Sequence, residues 1–171
     1  MIVFDIETDG LLNDCTQIHC IIAYDTDTKE TYTYSDCGSK EPVVRGVQLL
    51  MDMDCIAGHN IIGYDLPVIR KFYPWADRTD GVIDTLLLSR LIHPNLIELD
   101  KKRRWTHMPL QLYGRHSLEA YGHRLGEYKG EFAKHTDWKT FTPEMEAYCK
   151  QDVKVTTKLC EHFATRLTGL S

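Results

Sequence analysis

The stretch Ile2-Val3-Phe4-Asp5-Ile6-Glu7-Thr8-Asp9-Gly10 decides the fold and raises the first chemical question. Ile2, Phe4 and Ile6 alternate with Val3, Asp5 and Glu7, the period of a β-strand, and Asp9-Gly10 is a turn signal that ends it. Asp5 and Glu7 are two residues apart, so both side chains leave one face of the strand and can share a ligand. Two unpaired carboxylates beneath a covering layer would be too costly. Either the strand end is exposed to water, as surface acids usually are, or cations neutralise the pair.

Working outward, residues 17–24 read as a second apolar strand and residues 31–34 as a third, joined by the polar Asp25-Thr26-Asp27-Thr28. This predicts a meander of three antiparallel strands. The pattern then changes. Val43, Val44, Val47, Leu50 and Met51 fall at helical spacing within residues 42–53, and the short apolar run 55–58 suits a buried parallel strand. A helix over 64–72 tolerates Pro67 in its first turn, and Val82-Ile83 is a short strand leading into a helix over 84–92. Residues 93–115 lack clean periodicity, are interrupted by Pro94, Pro109 and Gly114, and carry Lys101-Lys102-Arg103-Arg104-Trp105; they read as a long functional loop. A helix follows over 117–125, then an irregular stretch to Phe141. The last helix has Thr142 as N-cap and Pro143 at its first position, and runs to about residue 166. The expected architecture is one α/β domain: a five-stranded mixed sheet, three antiparallel strands then parallel βα units, flanked by helices.

The last helix repeats the anomaly of the first strand. Met145, Tyr148, Cys149, Asp152, Thr156, Leu159, Cys160 and Phe163 form its apolar stripe, and Asp152 sits inside it. Tyr148 lies one turn earlier on the same face, so phenol and carboxylate project toward one place. A lone Asp there is equally well explained as a cap or an Arg partner. The third element is His59-Asn60-x3-Tyr64-Asp65, after a short strand and at a helix start, where loops of parallel sheets gather functional groups. Singly, Asn60 also suits a turn, Tyr64 a core position and Asp65 the positive end of a helix.

Composition sets the bounds. The chain has 171 residues, 43% hydrophobic and 26% charged, enough for one domain with a sizeable core and unlike disordered or fibrous sequences. No run is long and apolar enough for a membrane helix, and Asp5 and Glu7 interrupt any signal-peptide core, so a cytoplasmic protein is expected. The six cysteines are too few for a disulfide scaffold, and reduced thiols are the default. Cys15, His19 and Cys20 hint at zinc, but no second ligand pair follows at the required spacing; core thiols explain them better. A net charge of −5 gives no overall attraction to nucleic acid, so a local basic patch or bound metal would be needed.

Together, Asp5-Ile6-Glu7, Asn60-x3-Tyr64-Asp65 and Tyr148-x3-Asp152 resemble, in order and spacing, the three exonuclease motifs of the DEDD superfamily in its DEDDy, DnaQ-like branch. The stretches Ile83-Asp84-Thr85-Leu86-Leu87-Leu88-Ser89-Arg90-Leu91-Ile92-His93 and Ser117-Leu118-Glu119-Ala120-Tyr121-Gly122-His123-Arg124-Leu125-Gly126-Glu127 are similar to the 3′→5′ proofreading domain of family A DNA polymerases of short-tailed bacteriophages. The resemblance covers nearly the whole chain. It implies a ribonuclease-H-like fold and a single exonuclease domain over residues 1–171 without the polymerase's thumb, palm and fingers. The protein is then an excised domain or a stand-alone nuclease, working in the host cytoplasm if phage-encoded, and a separate DNA polymerase chain is a candidate partner.

The resemblance further implies two divalent cations, magnesium or manganese, for phosphodiester hydrolysis. Asp5, Glu7 and Asp152 would hold the first, Asp5 would bridge to the second, and Asp65 would support it; the hard oxygen donors agree with those ions. Tyr148, with an ordinary pKa near 10, would orient the attacking water rather than deprotonate it. Nucleoside 5′-monophosphates would leave one at a time from the 3′ end of single-stranded or frayed DNA. Thr8 and Leu11 match positions that contact and wedge the terminal base, Asn60 matches one that positions the strand, and His59 and Tyr64 adjoin them. Lys101, Lys102, Arg103 and Arg104, with Trp105 and Arg115, are candidate contacts to the DNA backbone, though a solvated loop tip explains them as well. The alternatives are an exoribonuclease of the ribonuclease D or oligoribonuclease kind and a non-catalytic module that holds a polymerase or a DNA end.

Overall fold

The computed structural model describes residues 1–128 and 136–167. β1 (Ile2–Thr8) is the middle strand of a five-stranded sheet of order β3-β2-β1-β4-β5. β2 (Ile18–Asp25) and β3 (Thr31–Tyr34) continue it antiparallel on one side. β4 (Ile56–Gly58) and β5 (Val82–Asp84) run parallel to it on the other. The mixed sheet expected from the sequence is therefore the one observed.

Alternation along β1 divides the core between two layers. Ile2, Phe4 and Ile6 pack with Val43, Val47 and Leu50 of α1 (Val43–Asp52) and Val68 and Ile69 of α2 (Leu66–Phe72). Val3, with Cys20, Ile22 and Ala57, meets Cys149 and Val153 of the long C-terminal helix. Each fully buried aliphatic side chain of this kind contributes about 1.5–3 kcal/mol relative to exposure. Asp5 and Glu7 share the face of Val3, so the strand that builds the core also aims two carboxylates at that helix.

α3 (Thr85–Ile92) follows β5 and is capped by Asp84, whose side chain accepts Leu86 N–H. α5 (Leu118–Arg124) is capped by Ser117, which accepts Ala120 N–H. The C-terminal helix, α6 (Pro143–Leu167), starts as its sequence predicts: Thr142 Oγ1 accepts Met145 N–H at 3.1 Å, and Glu144 and Glu146 occupy its positive end. Val155, Leu159 and Phe163 of α6 pack against Tyr121 of α5 and Leu96. Part of the irregular stretch before Phe141, residues 129–135, lies outside the described residues.

Two expectations need correction. Residues 93–115 are not a continuous loop: they contain α4 (Leu96–Arg103) and a 3₁₀ turn, Leu110–Leu112. α4 buries Leu96 in the cluster with Tyr121, Leu159 and Phe163, and its second anchor is a buried carboxylate. Asp100, 1% exposed, accepts Trp105 Nε1 (2.9 Å), Gly114 N (2.8 Å) and both Arg124 Nε (3.0 Å) and Nη2 (2.7 Å). Likewise the helix expected over 64–72 begins only at Leu66: Tyr64 and Asp65 belong to a wider π-helical turn, Ile61–Asp65, before α2. Asn60 enters that turn at φ 60°, and a Cβ on Gly63 would come within 2.6 Å of Asn60 Oδ1. Glycine at 63 leaves that oxygen room.

Cys15 belongs to the α1 side of the sheet and Cys20 to the α6 side, while His19 Nε2 donates to Trp138 O at 2.7 Å. The three do not converge, in keeping with core thiols rather than zinc. Among the described residues no helix is long and apolar enough to cross a membrane.

Candidate active site

Five carboxylates line one open cleft of about 550 Å³: Asp9, which accepts Thr16 N–H at 2.7 Å in the turn after β1, and four more that reach it from three elements. β1 supplies Asp5 and Glu7, the π turn supplies Asp65 and α6 supplies Asp152, with Tyr148 one helical turn before it. Thr8, Leu11, His59, Asn60 and Tyr64 line the same cleft. The residues singled out by the three motifs, up to 147 positions apart in the chain, are thus brought together.

The electrostatics are those of a cluster short of positive charge. Burial pushes the Asp5 carboxyl well above the usual carboxylate range, and the negative fields of Asp152, Glu7 and Asp65 push it further. Asp65 is raised too, by burial first; a hydrogen bond from the Ile6 backbone partly opposes this, and Asp84 and Asp152 add to it. Asp65 is 4% exposed, and its Oδ2 is buried with no hydrogen-bond partner. A buried carboxylate oxygen of this kind beside three more carboxylates fits a hard divalent cation, which needs oxygen donors and supplies the missing charge. Asp5, Glu7, Asp65 and Asp152 are the residues that would hold such ions.

The surrounding turns are fastened by short bonds. Tyr64 OH donates to Gly10 O at 2.6 Å and lies 2.6 Å from Thr8 Oγ1, which makes its own 2.8 Å bond to Gly10 O. Tyr64 and Thr8 therefore fix the turn that carries Leu11, whose side chain is 74% exposed at the cleft. On the other wall, Asp84 Oδ1 accepts Asn60 N–H at 2.9 Å and Oδ2 accepts Ile62 N–H at 3.0 Å. His59 Nδ1 lies 2.8 Å from Thr85 Oγ1.

Asp84 is thus both a helix cap and the fastener of the Asn60 turn; its place at a helix start beside the motif residues is open to both readings from sequence. Trp138 also lines the cleft, its ring 6.2 Å from that of Tyr148 at 70°. The sequence reading missed it because it precedes α6 in a segment without periodicity. One contact that holds it comes from a β-bulge: Glu7 pairs with Cys20 but Thr8 with Ile18, so His19 is the extra residue, and it donates to the Trp138 carbonyl.

The basic residues separate into two groups. Arg115, with Arg90 and His116, lines a neighbouring hollow of about 560 Å³ that shares His59 and Asn60 with the carboxylate cleft. Lys101, Lys102, Arg103 and Arg104 occupy the last turn and C-cap of α4 and line neither hollow. Arg103 lies over the Trp105 ring at 4.7 Å, and Trp105 is tethered through Nε1 to Asp100 and through its backbone N–H to Tyr113 OH.

Comparison with known proteins agrees with this geometry. The model of the RNase_H superfamily matches residues 2–164. The DNA-directed DNA polymerase of Escherichia phage T7 is 36% identical over 190 aligned positions, covering 94% of this chain and 26% of the polymerase. The chain therefore spans about a quarter of the length of that relative. Among solved structures, one described as the apo form of a nuclease superposes with a TM-score of 0.66 at 20% identity, covering 98% of this chain and 72% of that one. NrnC of Brucella melitensis with bound Mg2+ superposes with a TM-score of 0.61 at 16% identity, covering 99% and 75%. With a sheet of this order, carboxylates at its centre and a family match over nearly the whole length, the chain belongs to the RNase_H superfamily.

Proposed function

We propose that the protein is a metal-dependent 3′→5′ exonuclease of the DEDDy kind that removes nucleoside 5′-monophosphates from single-stranded or frayed DNA ends. The observation that carries this reading is the convergence of Asp5, Glu7, Asp65 and Asp152 on one open cleft, with Asp65 Oδ2 buried and unpartnered. Bound at these carboxylates, two magnesium or manganese ions supply water acidification and charge stabilisation on the entering and leaving oxygens.

This chain's own residues do the positioning. Asp5, Glu7 and Asp152 would hold one ion, and Asp5 with Asp65 the other. Tyr148, whose phenol is a poor base at neutral pH, orients the attacking water by hydrogen bond. Leu11 wedges beside the terminal base, Thr8 and Tyr64 hold the turn that presents it, and Asn60 positions the strand. Arg115 and Arg90, in the adjoining hollow, suit the phosphates further along the strand. Lys101 to Arg104 guide the backbone from farther out, since they line neither hollow.

DNA is favoured over RNA by the 36% identity to a phage DNA polymerase. The same likeness supports work alongside a DNA polymerase in the cytoplasm of an infected cell, with the exonuclease in the same chain or a separate one. The test is digestion of 5′-labelled single-stranded DNA with magnesium or manganese, beside EDTA and Asp5→Ala controls and an RNA of the same sequence. Stepwise shortening of DNA from the 3′ end, abolished by EDTA and by Asp5→Ala, is expected. Preferential digestion of RNA would replace the DNA reading with an exoribonuclease, and cleavage of neither would leave a binding role.

A further inference from the structure

Cys149 follows Tyr148 in α6 and precedes Asp152 by three residues, so its thiol and the Asp152 carboxylate share one side of the helix. The side chain is 0% exposed and packs among Val3, Cys20, Ile22, Ala57 and Val153. It does not line the cleft; it reaches the carboxylates from the core side. The thiol donates a hydrogen bond to Asp5 Oδ2, Sγ to Oδ2 being 3.5 Å, and one ligand atom each of Asp5, Glu7 and Cys149 lies within 4.8 Å of the others. A small aliphatic residue would fill the same space, but would place no donor atom there.

Those distances have a chemical meaning. A tetrahedral ion with a sulfur ligand at about 2.3 Å and an oxygen ligand at about 2.1 Å holds the two about 3.6 Å apart. The Cys149–Asp5 separation of 3.5 Å is already that spacing. Asp65 Oδ2, on a side chain 4% exposed, is an independent sign that the cluster is built for a cation. Resting on the reading of this cluster as a cation site, we propose that Cys149 is a ligand for thiophilic divalent cations. Zinc, cobalt or cadmium would be bound by Asp5, Glu7 and the Cys149 sulfur.

Hard ions such as magnesium stay with oxygen donors, whereas softer ions recruit the thiolate. On coordination the S–H bond breaks, the sulfur–metal bond forms and the proton leaves to solvent; no oxidant or reductant takes part. A thiophilic ion held this way would occupy Asp5, which the magnesium-dependent reaction needs, and so would inhibit turnover rather than support it.

The test uses the full chain stripped of metal and titrated with cobalt(II), read by the near-ultraviolet sulfur-to-cobalt charge-transfer absorption. Wild type and Cys20→Ser, which removes the neighbouring thiol, are expected to show the band saturating at one equivalent. Cys149→Ser and Asp5→Asn are expected to lose it. Half-inhibition of magnesium-supported digestion by zinc should need about tenfold more zinc in Cys149→Ser than in wild type, each compared with its own uninhibited rate. X-ray absorption at the zinc edge of the wild-type complex should contain a sulfur scatterer, a readout that does not depend on any variant folding. Absence of the band and of the sulfur scatterer in wild type, or persistence of the band in Cys149→Ser, overturns the proposal. Magnesium-dependent digestion without the band sinks the thiol alone; a thiol-dependent band without digestion by magnesium or manganese keeps the thiol and sinks the nuclease reading.

Discussion

Asp84 Oδ1 accepts the backbone N–H of Asn60 at 2.9 Å, across 24 residues of chain, and so ties the turn that ends in Asp65 to the first turn of α3. The same carboxylate also accepts Ile62 N–H and Leu86 N–H, three bonds to one charged group. An amide can offer only one acceptor oxygen. Asp84→Asn is therefore expected to destabilise the fold by about 1.5–3 kcal/mol in denaturant unfolding, the range for a hydrogen bond to a charged group. It should also slow single-turnover digestion by about tenfold or more, because Asn60 and Asp65 lose their support. A loss of stability with turnover unchanged would reduce Asp84 to a helix cap.

Tyr148 and Asp5 face the same cleft with different duties. If the phenol only orients water, Tyr148→Phe removes one hydrogen bond and leaves the ions in place. If Asp5 holds both ions, Asp5→Ala removes the machinery. Single-turnover rates with magnesium should fall about tenfold in the first and about a thousandfold or more in the second. Equal, complete losses would contradict this division.

The carboxylate cluster is built at the expense of stability. Asp5 and Asp65 both have raised pKa values in the fold, so the folded chain without cations binds protons more tightly than the unfolded chain. Without cations, these groups stabilise the fold fully only below the ordinary carboxylate pKa of 3.8, and stability falls as pH rises above it. In EDTA near neutral pH, Asp5→Asn should melt higher than wild type. Magnesium or manganese should raise the wild-type melting temperature and move the variant little. A variant less stable than wild type in EDTA would mean that the cluster's mutual repulsion is not the dominant effect.

The sequence was most legible where one chemical rule acts locally. Alternation along β1 gave the strand, the two core faces and the face of Asp5 and Glu7, and Thr142-Pro143 gave the start of α6. The convergence of motifs far apart in the chain was reachable through their combination, since each acid alone has an ordinary explanation. What escaped depends on tertiary contacts. α4 is held by Asp100 and Arg124 together with the single buried Leu96, and Trp138 is contacted by a bulge residue of β2. The π turn before α2 arises from the left-handed Asn60 and the close approach of Gly63. None of these leaves a periodic trace.

Glu127 gives a pH dependence of opposite sign. It bridges the end of the α5 segment to α6, contacting Lys158, lying 3.2 Å from Lys154 and accepting Gln151 Nε2. The two lysines and the glutamine hold its carboxyl down, from 4.5 to about 2, Lys158 contributing most. A carboxylate with a depressed pKa stabilises the fold above its unfolded value and loses that contribution as pH falls from about 4.5 toward about 2. In cation-free protein the Asp5 and Asp65 contributions rise as pH falls, so the raw wild-type melting curve mixes two slopes. The difference between wild type and Glu127→Gln removes the shared part, since Lys154, Lys158 and Gln151, which Glu127 contacts, do not line the carboxylate cleft. That difference should be positive at neutral pH and shrink toward zero below pH 4.5. A difference that stays constant across that window would mean that Glu127 acts through packing rather than charge.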